Sequence, residues 1–189
     1  MIRTLFIFLL FATLLGAQSN EDCMMCHSDP DLAKIVDDTL EVSMYVDQGV
    51  YENSIHGFFE CVDCHMDIEE IPHEEELAEV SCAMCHDVSQ EEYDKGIHGQ
   101  ALARGSNVAA TCADCHGVHD IYSSDDPKSK TYPANLAETC GSCHSKPEIN
   151  RRFGSRDIDR VRLYENSVHG RLLEENPEGG YATCSDCHG

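Results

Sequence analysis

Basic residues are scarce in this chain, and long apolar segments are absent after its first residues. Lysine and arginine together number 13 against 35 aspartates and glutamates, so the formal net charge is −22. A surface this acidic repels nucleic acid, and we expect no nucleic-acid partner. No segment beyond residue 17 approaches the roughly 20 consecutive apolar residues of a membrane-spanning helix. The sequence therefore favours a protein with no transmembrane span, acting in solution.

The amino terminus has the layout of a secretory signal. Arg3 is followed by an apolar run from Leu5 to Leu15 and then by the small residues Gly16 and Ala17. A basic start, a short apolar centre and small residues before the cut are typical of an export signal that is removed. We predict a signal peptide over residues 1–17 and a mature domain over 18–189, exported to the periplasm or the cell exterior.

Cysteine is absent outside one repeated motif. The 12 cysteines all fall in six Cys-x-x-Cys-His motifs, and none is left over. The motifs comprise Cys23, Cys26 and His27; Cys61, Cys64 and His65; Cys82, Cys85 and His86; Cys112, Cys115 and His116; Cys140, Cys143 and His144; and Cys184, Cys187 and His188. Such a motif attaches c-type haem, because its two thiols form thioethers to the porphyrin and its histidine ligates the iron. The sequence therefore predicts six covalently attached haems c.

Three other uses of paired cysteines explain the pattern less well. A disulfide scaffold gives no reason for a histidine after every pair. Zinc sites built from Cys-x-x-Cys pairs also leave the six histidines unexplained. Thioredoxin-like redox motifs occur singly on a strand–helix–strand scaffold, and no such strand pattern is present.

A heptapeptide of the form Tyr-x-x-(Ser/Gly)-(Ile/Val)-His-Gly occurs three times. Its copies are Tyr51–Gly57, Tyr93–Gly99 and Tyr164–Gly170. The second and third copies each run on to an attachment motif preceded by Ala-Thr, which indicates duplication of a haem-binding module. We expect the glycine to let the backbone pass close to a porphyrin face.

The fold class follows from the ratio of chain to haem. With about 29 mature residues per haem, side chains alone build little core, so we expect haems to form it. The prediction is a mainly irregular fold with short α-helices, a stacked haem core and little β-structure. Helices are predicted over 31–37, 74–80, 99–104 and 158–164, and a short strand without an obvious partner over 40–46.

Five of the 11 histidines lie outside the attachment motifs. They are predicted to be second axial ligands of the irons: His56, His73, His98, His119 and His169. His119 follows the motif histidine His116 by three residues and is expected to serve a neighbouring haem rather than its own.

Six irons with two imidazoles each need twelve histidines, so one iron is a ligand short. Three explanations remain open for it. The iron is five-coordinate and open to substrate, or Met44 supplies a thioether, or the missing histidine lies in a continuation of the chain. The third is favoured, because the last repeated module stops at Gly189, directly after its motif histidine.

With these motifs in view, the chain resembles the bis-histidine multihaem cytochromes c of anaerobic respiratory bacteria, from small class III members to periplasmic and extracellular ones. The resemblance implies haems packed edge to edge as an electron conduit, with redox proteins as donor and acceptor. It also implies a further source of the missing ligand, because some members share a haem ligand between subunits of a filament.

Electron transfer in an anaerobic respiratory chain is the predicted function, with no enzyme activity and no catalytic residue. An iron with an imidazole on both faces has no site for a substrate. The alternative is a multihaem reductase of nitrite, hydroxylamine or a sulfur oxyanion. The redox potentials, the donor and the acceptor do not follow from the sequence.

Overall fold

The computed structural model describes residues 18–36, 39–152 and 159–188, and the predicted signal peptide over 1–17 lies outside them. Within those ranges the chain forms short helices, most of them separated by turns, and one small sheet. The α-helices are α1 Asn20–His27, α2 Gln48–Glu52, α3 Asp87–Lys95, α4 Ile97–Ala103, α5 Cys112–His116, α6 Leu136–His144, α7 Pro147–Arg152, α8 Arg160–Glu165, α9 Val168–Glu175 and α10 Cys184–His188. Three 3-10 turns span Cys61–Asp63, Cys82–Met84 and Pro133–Asn135. The strands are β1 Ala33–Val36 and β2 Leu40–Ser43. A mainly helical and irregular fold with little β-structure is thus confirmed.

The sheet corrects two sequence-based expectations. The strand predicted without a partner is β2, which pairs antiparallel with β1 so that Val36 lies opposite Leu40. The helix predicted over 31–37 is therefore wrong, because its centre is β1. Ile35 and Val36 are β-branched, and such side chains fit an extended hairpin better than a helix.

Of the other three helix predictions, two are confirmed and one is wrong. Those over 99–104 and 158–164 are confirmed by α4 and α8, although Ile158 lies outside the described residues. The helix over 74–80 is wrong, because this segment is a loop. Its three consecutive glutamates, residues 74–76, repel one another, and the Ala78 amide donates to the Asp67 carboxylate instead of to a helical carbonyl.

Apolar side chains bury little surface against one another. Across the described residues, Met24 and Leu173 are the buried hydrophobic residues. Large apolar side chains elsewhere are exposed to solvent: Met25 is 81%, Phe58 78% and Ile97 79% exposed. The polypeptide on its own lacks the interior that normally offsets the chain entropy lost on folding.

The chain divides into three units of the same plan. Each unit consists of one attachment motif, one heptapeptide and a second attachment motif. The first unit has its motifs at Cys23 and Cys61, the second at Cys82 and Cys112, and the third at Cys140 and Cys184. The duplication seen in the sequence is thus a duplication of two-motif units.

The heptapeptide tyrosine ties each unit together. The Tyr51 hydroxyl donates to the Phe59 carbonyl at 2.8 Å, Tyr93 to Ala110 at 2.7 Å, and Tyr164 to Ala182 at 3.0 Å. Each accepting carbonyl lies two residues before the first cysteine of the unit's second motif. In all three units, the same hydrogen bond therefore holds the heptapeptide tyrosine next to the start of the second motif.

Replacing Tyr93 by Phe removes this bond from the second unit. We expect the holoprotein to lose about 1–2 kcal/mol of stability, because a half-buried carbonyl loses its donor. Denaturant unfolding followed by haem absorbance measures the loss. Tyr45→Phe is the matched control, since Tyr45 is an exposed tyrosine whose hydroxyl makes no hydrogen bond in the described part, and its effect should stay within about 0.5 kcal/mol. Equal losses in both variants would contradict a tying role for Tyr93.

The heptapeptide glycine packs against the backbone of its own heptapeptide, and its predicted closeness to a porphyrin face stays a prediction. A Cβ atom on Gly99 would collide with the carbonyl oxygen of Tyr93, and one on Gly170 with that of Tyr164. A Cβ atom on Gly57 would likewise meet the backbone of Tyr51 and Glu52. The glycine thus lets each heptapeptide fold back on its own tyrosine, which sets the direction of the histidine beside it.

Replacing Gly99 by Ala forces these two backbone segments apart. The expected cost is about 1–3 kcal/mol, the usual range for adding a methyl group where no space exists. Gly49→Ala is the control, because its Cβ would meet only the Asp47 side chain at 3.4 Å and alanine favours a helix by about 0.5–1 kcal/mol. Thermal unfolding of the two holoproteins should therefore shift in opposite directions, and a shift in the same direction would contradict this packing.

No helix in the described ranges is long and apolar enough to cross a membrane.

Candidate haem-attachment sites

The second motif of each unit begins in the same local structure. Its third residue is an aspartate in all three units: Asp63, Asp114 and Asp186. Each carboxylate accepts a hydrogen bond from the backbone amide of the residue before the first cysteine, at 2.7–2.8 Å. These bonds cap the start of the helical turn and lower the pKa of Asp114 and Asp186. The cap holds the two cysteines and the histidine of the motif on one short turn.

The cysteines are available as thiols. All 12 lie in the described residues, and none of them is in a disulfide. No group of three or more histidine, cysteine, aspartate or glutamate side chains in these residues has the arrangement of a metal cluster. A haem iron takes only two axial protein ligands, so pairs of histidines are the arrangement to look for.

His27 and His73 form one such pair. Their ring centres lie 6.0 Å apart, and the two ring planes are within 6° of parallel. The Nδ1 atom of His27 donates to the Met44 carbonyl at 2.7 Å, and that of His73 donates to the Glu74 carbonyl at 2.7 Å. A carbonyl only accepts, so each Nδ1 carries a hydrogen, and Nε2 is the ring nitrogen left to bind a metal.

Three further histidine pairs have the same spacing. His56 and His86 lie 6.0 Å apart, His65 and His119 6.3 Å, and His98 and His144 6.1 Å, measured between ring centres. In every pair one histidine closes an attachment motif and the other lies outside the motifs. Eight histidines of the two predicted kinds are thus matched one to one.

This spacing fits a metal between the rings. A metal–imidazole bond of about 2.0–2.1 Å places the metal about 3.2 Å from the ring centre, so the centres of two opposed rings lie about 6.4 Å apart. Burial lowers the pKa of four of these imidazoles, and a neutral ring keeps the lone pair that a metal needs. They are His56, His65, His119 and His144. The residues present therefore fit haem irons with two imidazole ligands.

His119 reaches a distant motif because the chain turns sharply after His116. Gly117 has a φ angle of +94°, a conformation that favours glycine. Asp120 then closes the turn, accepting from the Val118 amide at 3.0 Å. Downstream, the Ile121 carbonyl accepts from the Ile55 amide at 2.9 Å. This backbone bond joins the segment of His119 to the first heptapeptide, beside His65.

Three predicted ligands are not paired. Within the described residues no ring faces His116, His169 or His188. Two motif histidines thus lack a second imidazole, where the histidine count alone predicted one. Met44, considered as a thioether ligand, contributes its backbone carbonyl to His27.

Cysteines of successive motifs lie near one another. Within each unit, besides burial, the first cysteine of one motif raises the pKa of the first cysteine of the other: Cys23 that of Cys61, Cys82 that of Cys112, and Cys184 that of Cys140. Burial and the Cys23 thiol together raise the pKa of Cys61 to about 12.

Cysteines of neighbouring units also lie near one another. The Cys64 thiol has its pKa raised by burial and by the nearby Cys82 and Cys85, which belong to the next unit. Cys115 stands in the same relation to Cys143. The six motifs therefore form one series, in which cysteines of each motif lie near those of the next.

Sequence reasoning identified the paired histidines but not the residues that place them. The heptapeptide tyrosines and the capping aspartates were missed. Both left a signal, because the tyrosine recurs in each heptapeptide and the Cys-x-Asp-Cys form marks the second motif of every unit and no first motif.

No protein-family model, curated protein or solved structure matches this chain.

Proposed function

We propose that this chain is an exported electron carrier that binds six haems c in one continuous series. It would belong with the bis-histidine multihaem cytochromes c that its motifs resemble, and its core would be the haems themselves. The observation that carries the proposal is the pairing of four motif histidines with four non-motif histidines at the spacing of a two-ligand iron.

The roles of the residues follow from their positions. The 12 motif cysteines hold the porphyrins, and the six motif histidines are the proximal ligands. His56, His73, His98 and His119 supply the second ligands. A bound haem c supplies reversible one-electron exchange at its iron. The second histidines deny substrates access to four irons, which suits transfer of electrons rather than catalysis.

The order of the motifs supports a conduit. Cysteines of each motif lie near those of the next one along the chain, so neighbouring porphyrins would be held close together from the first unit to the third. Two ends of the series, at Cys23 and at Cys184, are then the places for a donor and an acceptor. The partners are other redox proteins, and the acidic surface favours basic ones.

A multihaem reductase remains the second candidate, because of His116 and His188. Neither has an imidazole opposite it in the described residues, so these two irons would accept a small molecule. Beside Gly117, the residue that follows His116, lie the side chains of Asp120 and Lys130, and Lys130 pairs with Asp120 at 3.2 Å. A cation already paired with a carboxylate is a poor anchor for an anionic substrate, which favours the carrier.

The test uses the holoprotein, exported from a host that attaches haem c. Intact mass should show six haems, and reductive titration should take up six electrons per chain. Turnover of nitrite, hydroxylamine and sulfite with a reduced dye should not exceed that of free haem peptide. Fewer than six haems would contradict the attachment sites, and rapid turnover would replace the carrier by the reductase.

A pair of deletions then tests the conduit. Cys82→Ser with Cys85→Ser removes an internal haem, and Cys184→Ser with Cys187→Ser removes a terminal one. Reduction by a protein donor should become biphasic in the internal variant, because the haems on the far side of the missing haem are reduced slowly. The terminal variant should keep one phase. The same kinetics in both variants would show that electrons enter each haem independently.

A further inference from the structure

A single lysine lies in the strongly acidic first part of the chain. Between residues 18 and 80, Lys34 is the only lysine or arginine, against 18 aspartates and glutamates. It lies on β1. Its ammonium group donates to the Glu75 carbonyl at 3.3 Å and pairs with the Glu76 carboxylate at 3.4 Å. The lysine of this stretch therefore contacts the loop that carries His73.

His73 differs from the other paired second ligands in its local structure. His56 and His98 lie in heptapeptides, and His119 follows the sharp turn at Gly117. His73 belongs to no heptapeptide and lies in the 69–80 loop, where every residue except itself and Leu77 is exposed. A loop with so little packing is held in place by contacts from elsewhere in the unit.

The hairpin of β1 and β2 also fixes the histidine that faces His73. Met44 follows β2 directly, and its carbonyl accepts from the Nδ1 atom of His27 at 2.7 Å. The Met44 amide donates to the Leu32 carbonyl at 2.8 Å, and the Val46 amide donates to the His27 carbonyl at 2.7 Å. One hairpin thus contacts both members of the first pair, His27 through the end of β2 and the loop of His73 through β1.

The contact made by Lys34 lies next to the bond that orients the His73 ring. The Glu74 carbonyl accepts from the Nδ1 atom of His73 at 2.7 Å, and the next carbonyl along the chain, that of Glu75, accepts from Lys34. Because these carbonyls belong to neighbouring residues, loss of the Lys34 contact frees the backbone that orients the imidazole.

We propose that Lys34 is a positioning residue that keeps His73 bound to the iron above His27, so that the hairpin sets the ligation of the first haem. The inference rests on the proposed function, since it assumes a haem iron between these two rings. The Lys34 side chain is 35% exposed and that of Glu76 91%. An ion pair this exposed changes an equilibrium by no more than about fivefold.

Carbon monoxide binding to the fully reduced six-haem protein tests this role. The gas binds the iron above His27 only when His73 has left it, so its apparent affinity rises with the fraction of open iron. Lys34→Met should therefore raise the affinity of one iron by about three- to fivefold. Lys34→Arg keeps the charge and the donors, and it should restore the wild-type affinity.

Two matched pairs of variants separate positioning from a general effect of charge. Lys95 pairs with Glu92 within α3 at 2.8 Å, in the second unit, so Lys95→Met should leave the titration unchanged. In the loop itself, Glu76→Gln should reproduce part of the effect of Lys34→Met. Glu79→Gln should not, because Glu79 makes no ion pair in the described residues.

Combination with His73→Ala identifies the iron concerned. That iron is already open in His73→Ala, so adding Lys34→Met should change nothing further. The inference is wrong if Lys34→Met acts equally in both backgrounds, alters several irons at once, or has no larger effect than Lys95→Met. Failure of the proposed function is distinguishable, because intact mass would then show fewer than six haems in the wild-type protein.

Discussion

Polypeptide produced without haem attachment is expected to show no cooperative unfolding transition. Met24 and Leu173 are the buried apolar side chains in the described residues, and two such residues do not offset the entropy of ordering so long a chain. The four histidine pairs would also lose the iron that joins their rings, leaving neutral imidazoles facing one another. Folding should therefore depend on haem, as it depends on metal in small zinc domains.

Calorimetry and circular dichroism of the haem-free mature chain measure this effect, with the six-haem protein from the same gene as the control. We expect a flat heat-capacity trace and proteolysis throughout the sequence, against a sharp transition and protected motifs in the holoprotein. A cooperative transition in the haem-free chain would show that side chains alone build its core. The proposal that the haems form the core would then be wrong.

Replacing His119 by Ala is expected to change the haem attached at Cys61 and Cys64, not the haem attached three residues away at Cys112 and Cys115. The ring of His119 faces His65 at 6.3 Å, so its loss leaves the iron above His65 with one imidazole. One iron should become high-spin, and the reduced protein should bind one more carbon monoxide per chain than the wild type. His119→Met should keep that iron six-coordinate and raise its potential.

Combining His119→Ala with removal of one haem identifies which haem His119 serves. In a protein lacking its second haem through Cys61→Ser and Cys64→Ser, His119→Ala should have no further effect on spin state. His56→Ala is the control, because it serves the iron above His86 and should still add one high-spin iron in the same background. Additive effects of His119→Ala and the haem deletion would contradict the pairing, since residues that act on one site do not add.

The sequence predicted the chemistry of the site better than its geometry. Six attachment motifs and five further histidines are visible as residue types at fixed spacing, because covalent attachment needs that spacing. Which ring faces which is decided by turns far from either histidine, such as the Gly117 turn that carries His119 to His65. Such partners lie 54 residues apart in the sequence, and no local pattern encodes the distance.

The fold was predicted least well where local propensity acts alone. The 33–43 hairpin was divided into a helix and an unpaired strand, since four-residue strands are too short to show their period. The acidic loop over 74–80 was taken for a helix because glutamates favour helices individually. The heptapeptides, by contrast, are recognisable as repeats in the sequence, and their tyrosine and glycine contacts give the repeat a structural role.

His56 and His98 each face the histidine that closes the first motif of the following unit. This arrangement restricts how a chain built from such two-motif units can change in length. A whole unit can be added or removed and every remaining heptapeptide still meets the first motif of whichever unit follows. Insertion of a single motif would instead shift each partner by one place and leave irons without their second imidazole. Chains built in this way should therefore gain and lose haems two at a time.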